Sequence, residues 1–356
     1  MEFLAGGRAE VRITRADVGK RVSVRRLSGD REGGAAFTDA VGVLTSWDEG
    51  VLSITRRSGE CVRIEESSLV AAKVVPAARP RRKVPSAGAR ELQEVAARGW
   101  PATETERLGE WTLRASVQEV PGEAGPQGVV AGRRVGFTRR ANSVLPLGDP
   151  GVPLDTALER IAQWYAARGL PPVITVATGR PDADDALAAE LARRGWTAEA
   201  HTRVLISALA PLADTDADLS RVTLSREPGD AWLALYHRTG DAGGPTPTAW
   251  QVLTGGPSVW FATVRDEDGG TTAIGRLVVD GRWAGFAAIE VAPAERRQGL
   301  ASLVMAALAE RALDEGASAA YLQVEADNEG ALALYERLGF TDHHGYHYRR
   351  ALPGGR

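Results

Sequence analysis

The sequence predicts a mixed α/β protein, in which a small antiparallel β-barrel precedes two α/β units in tandem. Three observations predict it. Residues 11 to about 75 carry short alternating strands between polar turns. The stretch Ala287 to Phe340 reads as strand, glycine-bearing turn, helix, strand and helix. The run Glu190-Leu191-Ala192-Arg193-Arg194-Gly195-Trp196-Thr197 matches Leu334-Tyr335-Glu336-Arg337-Leu338-Gly339-Phe340-Thr341 in type, so an earlier unit repeats a later one.

Size and composition agree. A chain of 356 residues is long enough for two or three domains. With 44% hydrophobic and 25% charged residues it has the make-up of a soluble globular protein. A net charge of −3 argues against a general nucleic-acid or membrane binder. The single cysteine, Cys61, permits no intrachain disulfide, which fits a cytoplasmic protein. No apolar run approaches the roughly 18 residues of a membrane span, and MEFLAGGRAEVR lacks the apolar core of a signal peptide.

Residues 1–78 form the expected barrel. Val22-x-Val24, Val51 to Ile54 and Val62-x-Ile64 alternate, and Asp48-Glu49-Gly50 and Arg57-Ser58-Gly59-Glu60 turn the chain. Phe37 and Trp47 are its candidate aromatic site, although a lone tryptophan usually belongs to a core. Residues 79–89 are the linker, rich in proline and basic, and Arg79, Arg81, Arg82 and Lys83 read as a solvated charge run.

Residues 90–215 are the first α/β unit. Helices are predicted over Arg90 to Arg98, Leu154 to Ala167 and Asp185 to Arg194, ended by Gly99, Gly169 and Gly195. Strands are predicted at Trp111 to Leu113, Arg134 to Thr138, Val173 to Val176 and Val204 to Ile206. Residues 216–356 are the second unit. Its elements are a helix over Asp230 to Arg238, strands at Val259 to Val264, Ala273 to Val279 and Phe286 to Val291, and then the Ala287 to Phe340 stretch. In that stretch Leu300, Leu303, Val304, Ala307 and Leu308 recur at helical spacing. The turn before them aims backbone N–H groups at an anion, and Gly299 lets the backbone come close to it. Arg296 and Arg297 sit where cations are disfavoured unless an anion is bound.

The run Ile289-x-Val291-x-Pro293-x-x-Arg296-x-x-Gly299-x-Ala301 resembles motif A of the GNAT N-acetyltransferase superfamily, and Asn328-x-x-Ala331-x-x-Leu334-Tyr335-x-x-x-Gly339-Phe340 resembles its motif B. The resemblance implies tandem GNAT folds, the first degenerate and the second intact. Where motif A should stand, the first unit has Gly148-Asp149-Pro150-Gly151-Val152-Pro153. The two prolines remove donors there, and an aspartate repels phosphate. Leu191 stands in the place of Tyr335. The barrel, with Asp-x-Gly-Lys-Arg-Val and Gly-Val-Leu-x-x-Trp, resembles SH3-like barrels. It reads as a structural barrel, with a protein partner bound through it as the alternative.

The resemblance also implies roles. Acetyl-CoA is the donor and a small primary amine the acceptor, with no metal. Ile289 and Val291 contact the pantetheine arm. Arg296, Arg297, Gln298, Gly299, Leu300 and Ala301 hold the pyrophosphate, and Asn328 is a cofactor or helix-cap position. Tyr335 is the general acid, since a phenol with pKa near 10 is protonated at neutral pH. Glu290 is the leading candidate base and Glu325 the other. His237, His343, His344 and His347 lie in this unit, with His343 and His344 on the acceptor side and no zinc spacing among them.

The whole layout resembles SH3-fronted GNAT proteins of actinobacteria, described as N-acetylglutamate synthases and in some cases as histone-acetyltransferase-like. L-Glutamate is accordingly the expected acceptor, with Arg276 and Arg349 as its candidate carboxylate ligands and Arg139 and Arg140 reaching from the first unit. The alternatives are a protein-lysine acetyltransferase and a non-catalytic acetyl-CoA sensor.

Overall fold

The computed structural model describes residues 11–28, 36–56, 60–74, 86–120, 132–236 and 246–351. The basic linker cluster and His237 lie outside them. The chain forms two compact units, Met1–Arg82 and Lys83–Arg356.

The first unit is a six-stranded sheet made of β1 (Val11–Arg12), β2 (Arg21–Ser28), β3 (Ala36–Asp48), β4 (Val51–Thr55), β5 (Cys61–Glu65) and β6 (Leu69–Val74), in the order β1-β6-β2-β3-β4-β5. Alternation places Val22, Val24, Leu44, Leu52, Ile54 and Ile64 inside. Trp47 joins them, with its indole N–H donating to Glu66 Oε2 at 2.9 Å. The expected aromatic site therefore loses its tryptophan to the core.

The second unit begins with α1 (Ala89–Arg98), the hairpin β7 (Glu104–Leu108) and β8 (Trp111–Ala115), and the pair β9 (Val117–Val120) and β10 (Arg133–Gly136). Next come α2 (Leu154–Ala166), β11 (Val173–Thr178), α3 (Asp185–Arg193), β12 (Thr197–Ala208) and the short α4 (Ala210–Ala213). The remainder is β13 (Val222–Ser225), α5 (Asp230–Leu235), α6 (Pro247–Thr254), β14 (Ser258–Arg265), β15 (Thr271–Asp280), β16 (Trp283–Val291), α7 (Leu300–Asp314), β17 (Ala319–Glu325), α8 (Glu329–Arg337) and β18 (Thr341–Arg350).

One eight-stranded sheet runs through this unit in the order β11-β18-β12-β17-β16-β15-β14-β13. The order joins the two units expected over residues 90–215 and 216–356 into one sheet. β12, from the earlier half, lies between β17 and β18, while β18, from the end of the chain, lies between β11 and β12. Each half lends its last strand to the other, so the two halves share backbone hydrogen bonds and one sheet. Strand propensity places β12 and β18 as strands but does not name their partners.

α7 is buried nearly all round, with Met305, Ala306, Ala309 and Ala312 covered as well as the predicted apolar face. It presses so closely on β15 that a side chain at Gly275 would overlap Val304 and meet Ile289 and Leu308.

Candidate active site

Among the described residues, β16 and β17 are the one parallel pair of strands in this sheet, and their pairing is short. It runs from Trp283 opposite Ala319 to Phe286 opposite Leu322, then stops, although β16 continues to Val291 and β17 to Glu325. The cause lies on the other edge of β16. There, residues 287–290 face residues 274–276 of β15 with one residue too many, and Ala288 takes up the excess at φ 50°. A bulge of this kind bends its strand. The result is a notch in the sheet, in which the last residues of β16 and β17 offer unpaired edges to an extended ligand.

The turn that follows β16 closes one end of the notch. Arg296, Arg297, Gln298 and Gly299 are exposed, and Arg297 and Gly299 have φ of 69° and 82°. Gly299 is the N-cap of α7 and brings no side-chain cap. The first N–H groups of α7 have no intrahelical acceptor, so Leu300 and Ala301 present theirs outward while the Leu300 side chain enters the core. An added Cβ at Gly299 would meet nothing within 4 Å. The cradle is open, and its donors and two arginines fit a diphosphate group.

Ile289 and Val291 pack toward α7, whereas Glu290 lies opposite Ile274, on the face that carries α1, α5 and α6. On β17, Leu322 and Val324 belong to the α7 side, so Gln323 and Glu325 share the other face with Glu290. The structure thus places both candidate bases on one face of the notch. Glu325 is exposed and Glu290 half-buried.

Tyr335 is on the α7 face. The residue is 9% exposed, and its ring meets Phe340 edge-on at 5.8 Å. Burial pushes its hydroxyl up to about 12, so the phenol holds its proton throughout the neutral range. Asn328 acts as the cap of α8, accepting from the Ala331 N–H at 3.1 Å.

On the other face, next to Glu325, lies a cavity of about 350 Å³ whose walls come from both halves of the chain. Thr138, Arg139 and Arg140 form one wall. Glu325, Tyr346 and Tyr348 form the facing one. Arg140 donates to Gln323 Oε1 at 2.7 Å, and its guanidinium lies 5.6 Å from the Trp100 ring. It also lines a smaller cavity with Ala287 and Gln323, at the notch itself.

Two expected acceptor ligands are corrected. Arg276 is fully buried, and its guanidinium donates to the carbonyls of Leu253, Gly99 and Gly255 at 2.8, 2.9 and 3.1 Å while stacking 4.4 Å from Trp100. Three of its five N–H donors tie α1, α6 and β15 together, and it does not line the larger cavity. Arg349 lies inside β18 rather than after it, and alternation turns it away from the cavity lined by Tyr346, Tyr348 and Arg350. It donates instead to the Trp196 carbonyl at 3.1 Å.

His343 and His344 are buried in a chain of contacts. His343 Nε2 lies 2.9 Å from the Ala87 carbonyl, the two Nδ1 atoms are 2.8 Å apart, and His344 Nε2 is 2.8 Å from Gln93 Nε2. One arrangement satisfies all three: both rings neutral, with Gln93 donating to His344, His344 to His343, and His343 to the carbonyl. They brace β18 against α1 and do not line the larger cavity.

Comparison with known proteins adds the family. Residues 86–349 match the family described as "Probable histone acetyltransferase Rv0428c C-terminal", and residues 16–73 match "Rv0428c N-terminal Sm-like domain". The barrel is therefore Sm-like rather than SH3-like. Its alternating strands and polar turns mark a small barrel without distinguishing the two.

A protein of Mycobacterium tuberculosis named "Probable histone acetyltransferase Rv0428c" is 32% identical over 95% of this chain and 97% of its own length. "Uncharacterized N-acetyltransferase YobR" of Bacillus subtilis is 27% identical over 73% of this chain and 97% of its own. Among solved structures, a tandem GNAT protein from the clavulanic acid biosynthesis pathway is 16% identical, with a TM-score of 0.49 over 77% of this chain and 90% of that one. With the motif turn, the notch and nearly full-length similarity in agreement, the chain belongs to the Rv0428c family of GNAT N-acetyltransferases, with an Sm-like domain ahead of the acetyltransferase region.

Proposed function

We propose that this acetyltransferase moves the acetyl group of acetyl-CoA to the amine of a small amino acid, with L-glutamate as the first candidate and a place in amino-acid biosynthesis. The observation that carries the reading is the cavity of about 350 Å³ beside the notch, since its volume is that of a small-molecule pocket.

In this reading the pyrophosphate of acetyl-CoA rests on the turn from Arg296 to Ala301, and the pantetheine arm lies along Ile289 and Val291. The acceptor enters from the opposite face. Glu325 takes the proton from its ammonium group, because Glu325 lines the cavity, and Glu290 is the alternative base. The amine nitrogen attacks the thioester carbonyl, the C–S bond breaks, and the Tyr335 hydroxyl protonates the departing thiolate.

The name of the Mycobacterium relative supports a second reading, in which the acceptor is a lysine of a histone-like protein. Thiol release from acetyl-CoA decides between them. The amino-acid reading expects turnover with free glutamate at a rate well above that with glutamine or lysine-bearing peptides. Turnover with peptides alone gives the second reading, and acetyl-CoA binding without turnover on either leaves a sensor.

A further inference from the structure

We propose that Arg140 is the residue that reads the acceptor's carboxylate, and that the carboxylate it reads is the one adjoining the reacting amine. The inference rests on the amino-acid reading above and names how that site selects its substrate. Three arginines line the cavity, and two of them share one carboxylate. Arg139 pairs with Glu199 at 3.3 Å, and Arg350 pairs with the same carboxylate at 2.7 Å. Among the described residues no carboxylate pairs with Arg140. Its polar partners are the amide oxygen of Gln323 and the hydroxyl of Tyr346, both uncharged. A guanidinium lining a cavity with only neutral partners has capacity for one two-point contact with an anion.

Position decides which carboxylate. Arg140 lines both the larger cavity and the small one at the notch, where Ala287 and Gln323 stand. An α-carboxylate sits two bonds from its amine, so its ligand must stand near the reacting carbonyl. The acceptor side chain then extends into the larger cavity, where Arg139 and Arg350 share the one carboxylate of Glu199 and leave a positive charge that favours glutamate over glutamine.

The turn that carries Arg140 is also held in an uncommon shape. Thr138 has φ 54° and ψ 134°, a conformation that costs a β-branched residue free energy and that collects at ligand sites. Asn142 clamps it, donating to the carbonyls of Phe137 and Thr138 at 2.7 and 2.9 Å while accepting from the Ser116 N–H at 2.8 Å. Ser143 adds a bond to the Arg139 carbonyl at 2.9 Å. The turn belongs to the half without the acetyl-CoA motif, which gives that half a part in the reaction.

The test is a matrix of KM values for the full chain, with L-glutamate and its α-amide as acceptors, in wild type, Arg140→Gln and Arg140→Lys. The α-amide keeps the amine and the side chain and loses only the carboxylate in question. Wild type is expected to prefer glutamate at least tenfold. Arg140→Gln is expected to raise the glutamate KM by about tenfold or more, leaving the KM for acetyl-CoA and for the α-amide unchanged. Arg140→Lys, which keeps charge and loses the fork, should fall between. If glutamate is acetylated but the α-amide serves equally well, or if Arg140→Gln moves both acceptors alike, the assignment is overturned and acetyl transfer to amino acids stands. Turnover of lysine peptides alone overturns both.

Discussion

The two halves of the acetyltransferase unit each set a glycine at positive φ ahead of a helix and use the stretch differently. Gly299, at 82°, is the N-cap of α7, whereas Gly151, at 72°, lies two residues before Pro153, the N-cap of α2. In the earlier half the turn's donors are occupied by the protein's own carboxylates. The Asp149 N–H donates to Glu110 Oε2 at 2.7 Å, and the Gly151 N–H donates to Asp149 Oδ1 at 2.6 Å. Pro150 and Pro153 have no N–H to give, and Asp155 in the first turn of α2 is held by Arg194 at 2.8 Å. In the later half no carboxylate among the described residues accepts from the turn's backbone, and Arg296 and Arg297 stand exposed beside the start of α7. A carboxylate seated at a helix start meets the same donors that a phosphate would. The comparison teaches that backbone geometry alone does not make an acetyl-CoA site, because the donors must also be left without internal partners.

The sharpest way to break this comparison is to add a carboxylate to the later turn. Gly299→Glu is expected to weaken acetyl-CoA binding by about a hundredfold or more, while Gly151→Glu leaves it within about twofold. Both variants place a side chain at positive φ at a similar cost of roughly 1–2 kcal/mol, so calorimetric affinity separates the site from the strain. Equal losses would show that the two turns are equivalent.

Tyr335→Phe comes next. The turn comparison assigns binding to α7 and leaves proton delivery to α8, so this variant should lower kcat about a hundredfold with little change in acetyl-CoA affinity. Because the hydroxyl is held up near 12, it stays protonated below that value. The kcat of the wild type should therefore show no alkaline decline from this group up to about pH 11. A decline near pH 10 that vanishes in Tyr335→Phe would show that burial does not raise this hydroxyl, and an unchanged kcat in Tyr335→Phe would contradict its role as the acid.

Glu325→Gln and Glu290→Gln sharpen the acceptor side. The variant that lowers kcat by the larger factor, measured with saturating acetyl-CoA, carries the base. Glu325 is expected, and a full-rate Glu325→Gln enzyme would transfer the role to Glu290.

A smaller effect concerns the seam between the halves. Burial, with adjacent His343, holds His344 down at about 4 from its ordinary 6.5. The folded state therefore binds this proton less readily than the unfolded one, and its contribution is present above pH 6.5 and lost as pH falls toward 4. The loss is about 2–3 kcal/mol by linkage. Because burial also holds His347 down at about 4, it is read by urea denaturation at pH 7 and pH 4.5 as the difference between wild type and His344→Gln. The same loss in both proteins would show that His344 is not held neutral.

The turn, the notch strands and α8 were legible in the sequence because each rests on local signals: a glycine at a helix start, β-branched runs, and a tyrosine framed by Asn328 and Gly339. The strand exchange was not legible, since β12 and β18 carry ordinary strand patterns and partner choice is a long-range property. The same limit misplaced Arg276 and Arg349. Arginine reads as surface in a sequence, yet Arg276 is sealed by carbonyls from α1 and α6, and the strand's alternation sends Arg349 to the far side. Arg140 is legible as an acceptor-side arginine of the first unit, but the sequence does not separate it from Arg139. A spacing signal for its surroundings existed in Tyr346-x-Tyr348-x-Arg350, which period two puts on one face. Trp100, Asn142 and Gln323 gave none.

The central claim is that one half binds acetyl-CoA while the other, its turn filled from within, helps to form the acceptor wall. Titration of the full chain with acetyl-CoA by calorimetry tests it most directly. The account predicts one equivalent bound per chain, lost in Gly299→Glu and kept in Gly151→Glu. Two equivalents in the wild type, or one equivalent that survives Gly299→Glu, would contradict it.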